Sequence, residues 1–151
     1  SSALAHHYFG SKEAMFLAAM RHVLTVYGAE VRGALAGAQG PEGRARAVIR
    51  ASFAGANFRR EVVAAWLNFY VLAQTQAEVR RLLRVYQRRI VSNLTHALRP
   101  LVGARAGEVA VSIAAMIDGA YLHAALGSEA LDASRATARV EAYLTLALKE
   151  V

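Results

Sequence analysis

The chain has 151 residues, of which 56% are hydrophobic and 19% charged, with only two prolines. That is enough apolar material for one packed domain and it excludes a disordered chain. The formal net charge of +7 favours acidic partners such as nucleic acid, and the absence of cysteine excludes a disulfide framework and thiolate chemistry.

The opening residues read as a short helix running to Phe9, broken at Gly10. Ser11 is a suitable N-cap for a new helix, and Glu13 in its first turn suits the helix dipole. That helix is expected over 12–36, where Met20, Leu24, Tyr27, Val31 and Leu35 recur at spacings of three and four. Gly37 to Pro41 ends it. A second helix is expected over 42–56 and a polar break over 57–60. A third spans 61–74 and carries Trp66, Phe69 and Tyr70. The fourth, over 77–98, has an apolar stripe of Val79, Leu82, Tyr86, Ile90 and Leu94, and Arg99 to Gly103 should terminate it. A fifth covers 105–126 and stops at Gly127. Asp132 or Ser134 caps the last, which ends near Lys149. No stretch alternates like a strand, so the fold class is all-α.

Catalytic and metal constellations do not emerge. Ser92 has no neighbouring His and Asp to activate it, and no phosphate loop or metal-ligand spacing is present. His6 and His7 are adjacent and diverge on a helix, and His96 and His123 are isolated, so all four read as structural or surface groups outside any metal site. No enzyme activity, cofactor or metal is expected. Arg, Glu or Gln interrupts the apolar stretches, which argues against a membrane span, and no signal peptide is visible, so a cytoplasmic location is expected.

Two groupings invite a functional reading. Trp66, Phe69 and Tyr70 share one helical face, and Tyr86 and Tyr121 lie on other helices that can face them. Aromatic faces hold quaternary ammonium groups at about 0.5–2 kcal/mol per good contact. Asp118 is the one acid in the apolar segment 109–126 and is the natural carboxylate partner. Core packing of the aromatics, and a structural hydrogen bond or a salt bridge from Asp118 to Arg88 or Arg89, stay open as alternatives. The last two helices also carry more apolar surface than peripheral helices need. Ile113, Ile117, Ala120, Ala124, Tyr143 and Leu144 fit either the monomer core or a dimer face.

The string His6-His7-Tyr8-Phe9-Gly10-Ser11-Lys12-Glu13 resembles the end of the DNA-recognition helix and the start of the next helix in TetR-type transcriptional repressors. The family often has tyrosine where His6 stands. The resemblance implies DNA contact by His6, His7, Tyr8 and Lys12. It also implies that residues 1–11 are the remnant of a helix-turn-helix whose earlier helices lie outside this chain, and that 12–151 form a ligand-binding and dimerisation domain. Arg88-Arg89-Ile90-Val91-Ser92-Asn93-Leu94 and Ile117-Asp118-Gly119-Ala120-Tyr121-Leu122 are similar to the branch of choline-responsive repressors of glycine-betaine synthesis. That likeness implies a repressor released from operator DNA by a small molecule, which could be a quaternary ammonium such as choline, and a homodimer built from the last two helices. The competing reading is a small helical ligand carrier or interaction module with no DNA role.

Overall fold

A computed structural model describes the backbone of residues 2–149; the side chains of Ser2, Ala5, His6, Tyr8, Phe9 and Ser11 lie outside the described set. The described residues form six α-helices and no strand: α1 (Ser2–Gly37), α2 (Gly40–Ser52), α3 (Arg60–Leu72), α4 (Ala77–Val102), α5 (Ala106–Leu126) and α6 (Ala133–Lys149). A 3₁₀ turn, Gly103–Arg105, joins α4 to α5. The all-α expectation holds.

α5 is the central strut. It packs against α4, α3 and α6, while α2 touches α1, α4 and α6. The core is continuous through the bundle. Phe69, Met20, Ile49, Leu94, Leu98, Ile113, Ile117 and Leu144 are all essentially sealed from solvent, and each such side chain contributes about 1.5–3 kcal/mol relative to exposure.

Three boundaries differ from expectation. α1 is continuous through Gly10 and Ser11, with no glycine turn and no N-cap there. A glycine inside a helix costs only about 1 kcal/mol relative to alanine, so it weakens the helix without ending it. Only Gly40 and Gly103 adopt positive φ among the described residues, so Gly10 does not make the left-handed turn a break would use. α4 runs past Pro100 to Val102 and is ended by Gly103 at φ +57. Pro100 removes one backbone donor in a last turn, where the chain is about to stop anyway. α2 stops at Ser52, and the link 53–59 is anchored by buried Phe53, Asn57 and Phe58, with Gly55, Ala56 and Arg59 exposed, instead of being a polar break. Phe53 and Phe58 stack edge to face at 5.2 Å, and Asn57 is only 2% exposed. At α6, Asp132 is the cap: its Oδ1 accepts from the Arg135 backbone N–H at 2.8 Å.

The membrane expectation is corrected in one respect. The α4–α5 segment Ala77–Leu126 holds an 18-residue window long and apolar enough, by length and composition, to cross a bilayer. Charges therefore do not interrupt every apolar stretch. The α5 part of that segment is apolar because its inner side, Val109, Ala110, Ile113, Ile117 and Tyr121, is bundle core and small alanines fill much of the rest.

Candidate effector site

Five helices or their ends meet at one point inside the bundle. α3 brings Trp66 and Tyr70, α4 brings Tyr86, α5 brings Asp118 and Tyr121, α1 brings Tyr27, and the C-terminal end of α2 brings Ser52. Trp66 is the hub. Its ring centroid lies 4.6 Å from Tyr86, 5.8 Å from Tyr70 and 6.2 Å from Tyr121. Tyr86 meets Tyr27 edge to face at 5.5 Å. The i, i+4 spacing of Trp66 and Tyr70 turns both rings to the same side of α3. Phe69 does not join them at the cavity. It is fully buried, packs on Trp66 at 5.5 Å from behind and holds the indole in place.

Polar groups tie the aromatics down. The Tyr70 hydroxyl donates to Asp118 Oδ1 at 2.7 Å. The Tyr27 hydroxyl and Ser52 Oγ are 3.1 Å apart, and Ser52 Oγ donates to the Val48 carbonyl at 3.0 Å. The Tyr121 hydroxyl donates to the Ser52 carbonyl, which belongs to the last turn of α2 and has no helical partner of its own. Among the described residues, no buried side-chain polar atom lacks a partner.

Burial sets the electrostatics. Among the described residues Asp118 has no cation beside it, and the expected alternative of a salt bridge to Arg88 or Arg89 is not made: Arg88 is exposed, and Arg89 lines a different cleft. Desolvation raises the Asp118 carboxyl above its ordinary value of 3.8, and the Tyr70 hydrogen bond opposes that rise. Desolvation likewise pushes Tyr27 up to about 12, raises Tyr70 and Tyr121 further, and holds Tyr86 well above its ordinary value. All four tyrosines are therefore neutral donors at physiological pH, and Asp118 is the one group here able to carry charge.

The space enclosed is about 10 Å³, room for about one water at most. In this conformation the cage is closed. Its chemistry nevertheless suits a cation: π faces on several sides, one carboxylate, and little water to compete.

Tyr27 and Ser52 were not singled out for this site from the sequence. Tyr27 reads as one more core position on the first helix, and its hydroxyl leaves no trace in the hydrophobic period. Ser52 falls inside the expected second helix instead of at its end.

At the other expected sites, His7 and Lys12 are exposed on α1, while the side chains of His6 and Tyr8 lie outside the described residues. Ile113, Ile117 and Leu144 face the monomer core at 0–1% exposure. That corrects the expectation that they form a dimer face: the widest apolar stripe on each helix goes to the bundle. Ala120, Ala124 and Tyr143 are half-buried. The outer side of the same two helices instead displays Val111, Leu122, Leu126 and Leu146 to solvent.

Residues 41–149 match the family model of the C-terminal region of BetI-type transcriptional repressors. The chain belongs to the BetI-type repressors of the TetR family. It is 48% identical over 149 residues to the HTH-type transcriptional regulator BetI of Brucella suis biovar 1, covering 98% of this chain and 75% of that protein. It is 43% identical over 150 residues to the regulator of the same name from Agrobacterium fabrum, covering 99% of this chain and 73% of that one. The fold is also that of a transcriptional regulator from Pseudomonas aeruginosa PAO1, with a TM-score of 0.72 at 23% identity over 89% of this chain and 66% of that one. A Rhodococcus regulator gives 0.68 at 20% identity, over all of this chain and 78% of its own. This BetI-type chain is a transcriptional repressor, and its family is not one of enzymes.

Proposed function

We propose that this BetI-type chain carries the effector-sensing part of its repressor, and that the effector is a small organic cation of the quaternary ammonium class. The observation that carries the reading is the cage itself: Trp66, Tyr70, Tyr86 and Tyr121 around the half-buried Asp118, with Tyr27 from α1 completing the wall. A carboxylate held in an apolar site without a counter-ion is costly alone and strongly attractive to a cation that fits beside it.

The closed cage supplies the mechanism. A ligand shifts a two-state equilibrium only by binding one state better than the other. The closed state has about 10 Å³ free, so a trimethylammonium group binds only a state in which the rings have parted. Binding therefore draws the population toward the open state by the ligand's whole affinity for it. Tyr27 is part of the wall, so opening is coupled to α1. That is the helix on which His6, His7, Tyr8 and Lys12 stand, and these are the residues proposed to touch operator phosphates once the preceding helices complete a helix-turn-helix over residues 1–11. Residues 12–151 then form the sensing and dimerisation domain, acting in the cytoplasm, where operator DNA is found. The homodimer forms through the exposed side of α5 and α6, and its two-fold axis suits a palindromic operator.

The test uses the repressor with its complete helix-turn-helix, bound to an operator duplex and challenged with choline. Choline is expected to release the duplex from the wild type and to release it much less from Asp118→Asn. Release that is identical in both proteins would remove Asp118 from the effector site, and failure of choline to release either would remove the quaternary ammonium assignment.

A further inference from the structure

A second and much larger cavity lies on the other side of Tyr27 and Tyr86. It is an open cleft of about 660 Å³ between α1 and α4, in the size range of small-molecule sites. Its floor is apolar, made by Leu24, Val31, Leu82 and Ile90 together with the two tyrosine rings. Its walls are cationic: Arg21, Arg32 and Arg89 line it and no aspartate or glutamate does.

The three arginines are not equivalent. Arg21 is engaged, its Nη2 standing 2.7 Å from Glu78 Oε1. Arg32 and Arg89 have no ion-pair partner among the described residues. Arg32 lies back along its own helix over Gly28, where an added Cβ would come within 3.4 Å of Nη1. Arg89 reaches the cleft from α4, so the two charges approach from facing helices.

We infer that this cleft is a binding site for an amphipathic organic anion, with its carboxylate or phosphate held by Arg32 and Arg89 and its apolar body on the Leu24–Val31–Leu82–Ile90 floor. Guanidinium groups favour carboxylate and phosphate through paired N–H donors. A cation is disfavoured in the same cleft, because unpaired arginines meet it at short range where salt screens little. The assignment is independent of the cation cage: it concerns other residues and the opposite ligand charge. The two sites share the Tyr27–Tyr86 wall, so an occupant of the cleft touches the rings that close the cage.

Decanoate is a suitable probe, with decan-1-ol as the uncharged control of equal chain length. Calorimetric titration at low salt is expected to show decanoate binding at one site per chain. Binding should weaken at least tenfold in the double variant Arg32→Gln/Arg89→Gln and stay within twofold in Asp118→Asn. Both arginines are exposed, so the double variant should melt with the wild type, and Arg135→Gln, distant from the cleft, serves as the charge-loss control. Equal binding of decanoate to wild type and to the double variant would overturn the proposal. So would displacement of decanoate by an equal concentration of decan-1-ol, which would mean the cleft reads apolar surface alone. Absence of decanoate binding to the folded wild type would also overturn it. None of these outcomes bears on whether choline binds the cage.

Discussion

Asp118 carries an electrostatic cost in the closed bundle, because desolvation disfavours its charged form. Its folded-state pKa lies above the ordinary 3.8, so between those two values the folded chain holds a proton that the unfolded chain has released. Stability is then undiminished below the ordinary carboxylate value and is lost as pH rises through the raised one. Asp118→Asn removes the charge and keeps an acceptor for Tyr70. Thermal melting at neutral pH is expected to show the variant more stable than the wild type, at about 2–4 °C per kcal/mol recovered in a domain of this size. The gap should close as pH falls toward 3.8. A variant that melts lower than the wild type at neutral pH would mean the carboxylate is a net structural asset. Trp66 is a packing residue as well as a cage residue, being 4% exposed and in ring contact with four aromatics. Trp66→Ala should destabilise by about 3–5 kcal/mol in denaturant titration, so Trp66→Phe is the better probe of binding.

Among the elements, the link between α2 and α3 matters more than a polar connection would. Asn57 Nδ2 donates to Glu30 Oε2 and to the Ala51 carbonyl, both at 2.9 Å, which fastens the end of α2 to α1. Asn57→Ala leaves that carbonyl and carboxylate short of a buried donor and should cost about 1–3 kcal/mol. Hydrogen exchange should show the loss concentrated in α1 and 53–59; an unchanged melting curve would mean water replaces the amide without penalty. The helices and their apolar stripes were legible from sequence because packing follows the 3.6-residue period. The breaks were less so. Gly10 and Pro100 are weak stop signals whose cost is small where they stand, whereas Asn57 looks like a loop residue until its partners are known. The cage aromatics on α3, α4 and α5 could be grouped from spacing and helix assignment. Tyr27 and Ser52 could not, because their part in it depends on how α1 and α2 cross the other three helices.

At the scale of the whole molecule, the surplus apolar surface of α5 and α6 was legible, but its direction was not. Ile113, Ile117 and Leu144 serve the core, while Leu122 and Leu126 are 42% and 72% exposed on the outer side of α5 and Leu146 is 61% exposed on α6. Leu122→Glu/Leu126→Glu is expected to convert a dimer to a folded monomer in sedimentation at micromolar concentration. A wild-type chain that sediments as a monomer would contradict the dimer, and an unfolded double variant would mean that these residues support the bundle. With the preceding helices restored, Lys12→Ala should weaken operator binding evenly across sequences and reduce the salt slope by about one; an unchanged slope would take Lys12 off the DNA.

The most direct test of the effector site is calorimetric titration of choline into the wild type and into Asp118→Asn, each at neutral pH and again near the ordinary carboxylate value of 3.8, where a raised Asp118 holds its proton. One choline per chain should bind the wild type, more tightly at neutral pH than at the lower pH, because only the ionised carboxylate attracts it. Asp118→Asn should bind at least tenfold more weakly, a loss of about 1.4 kcal/mol, with no such pH dependence. Equal affinity in the two proteins, or no binding by a folded wild-type chain, would contradict the assignment of this aromatic cage as a cation site.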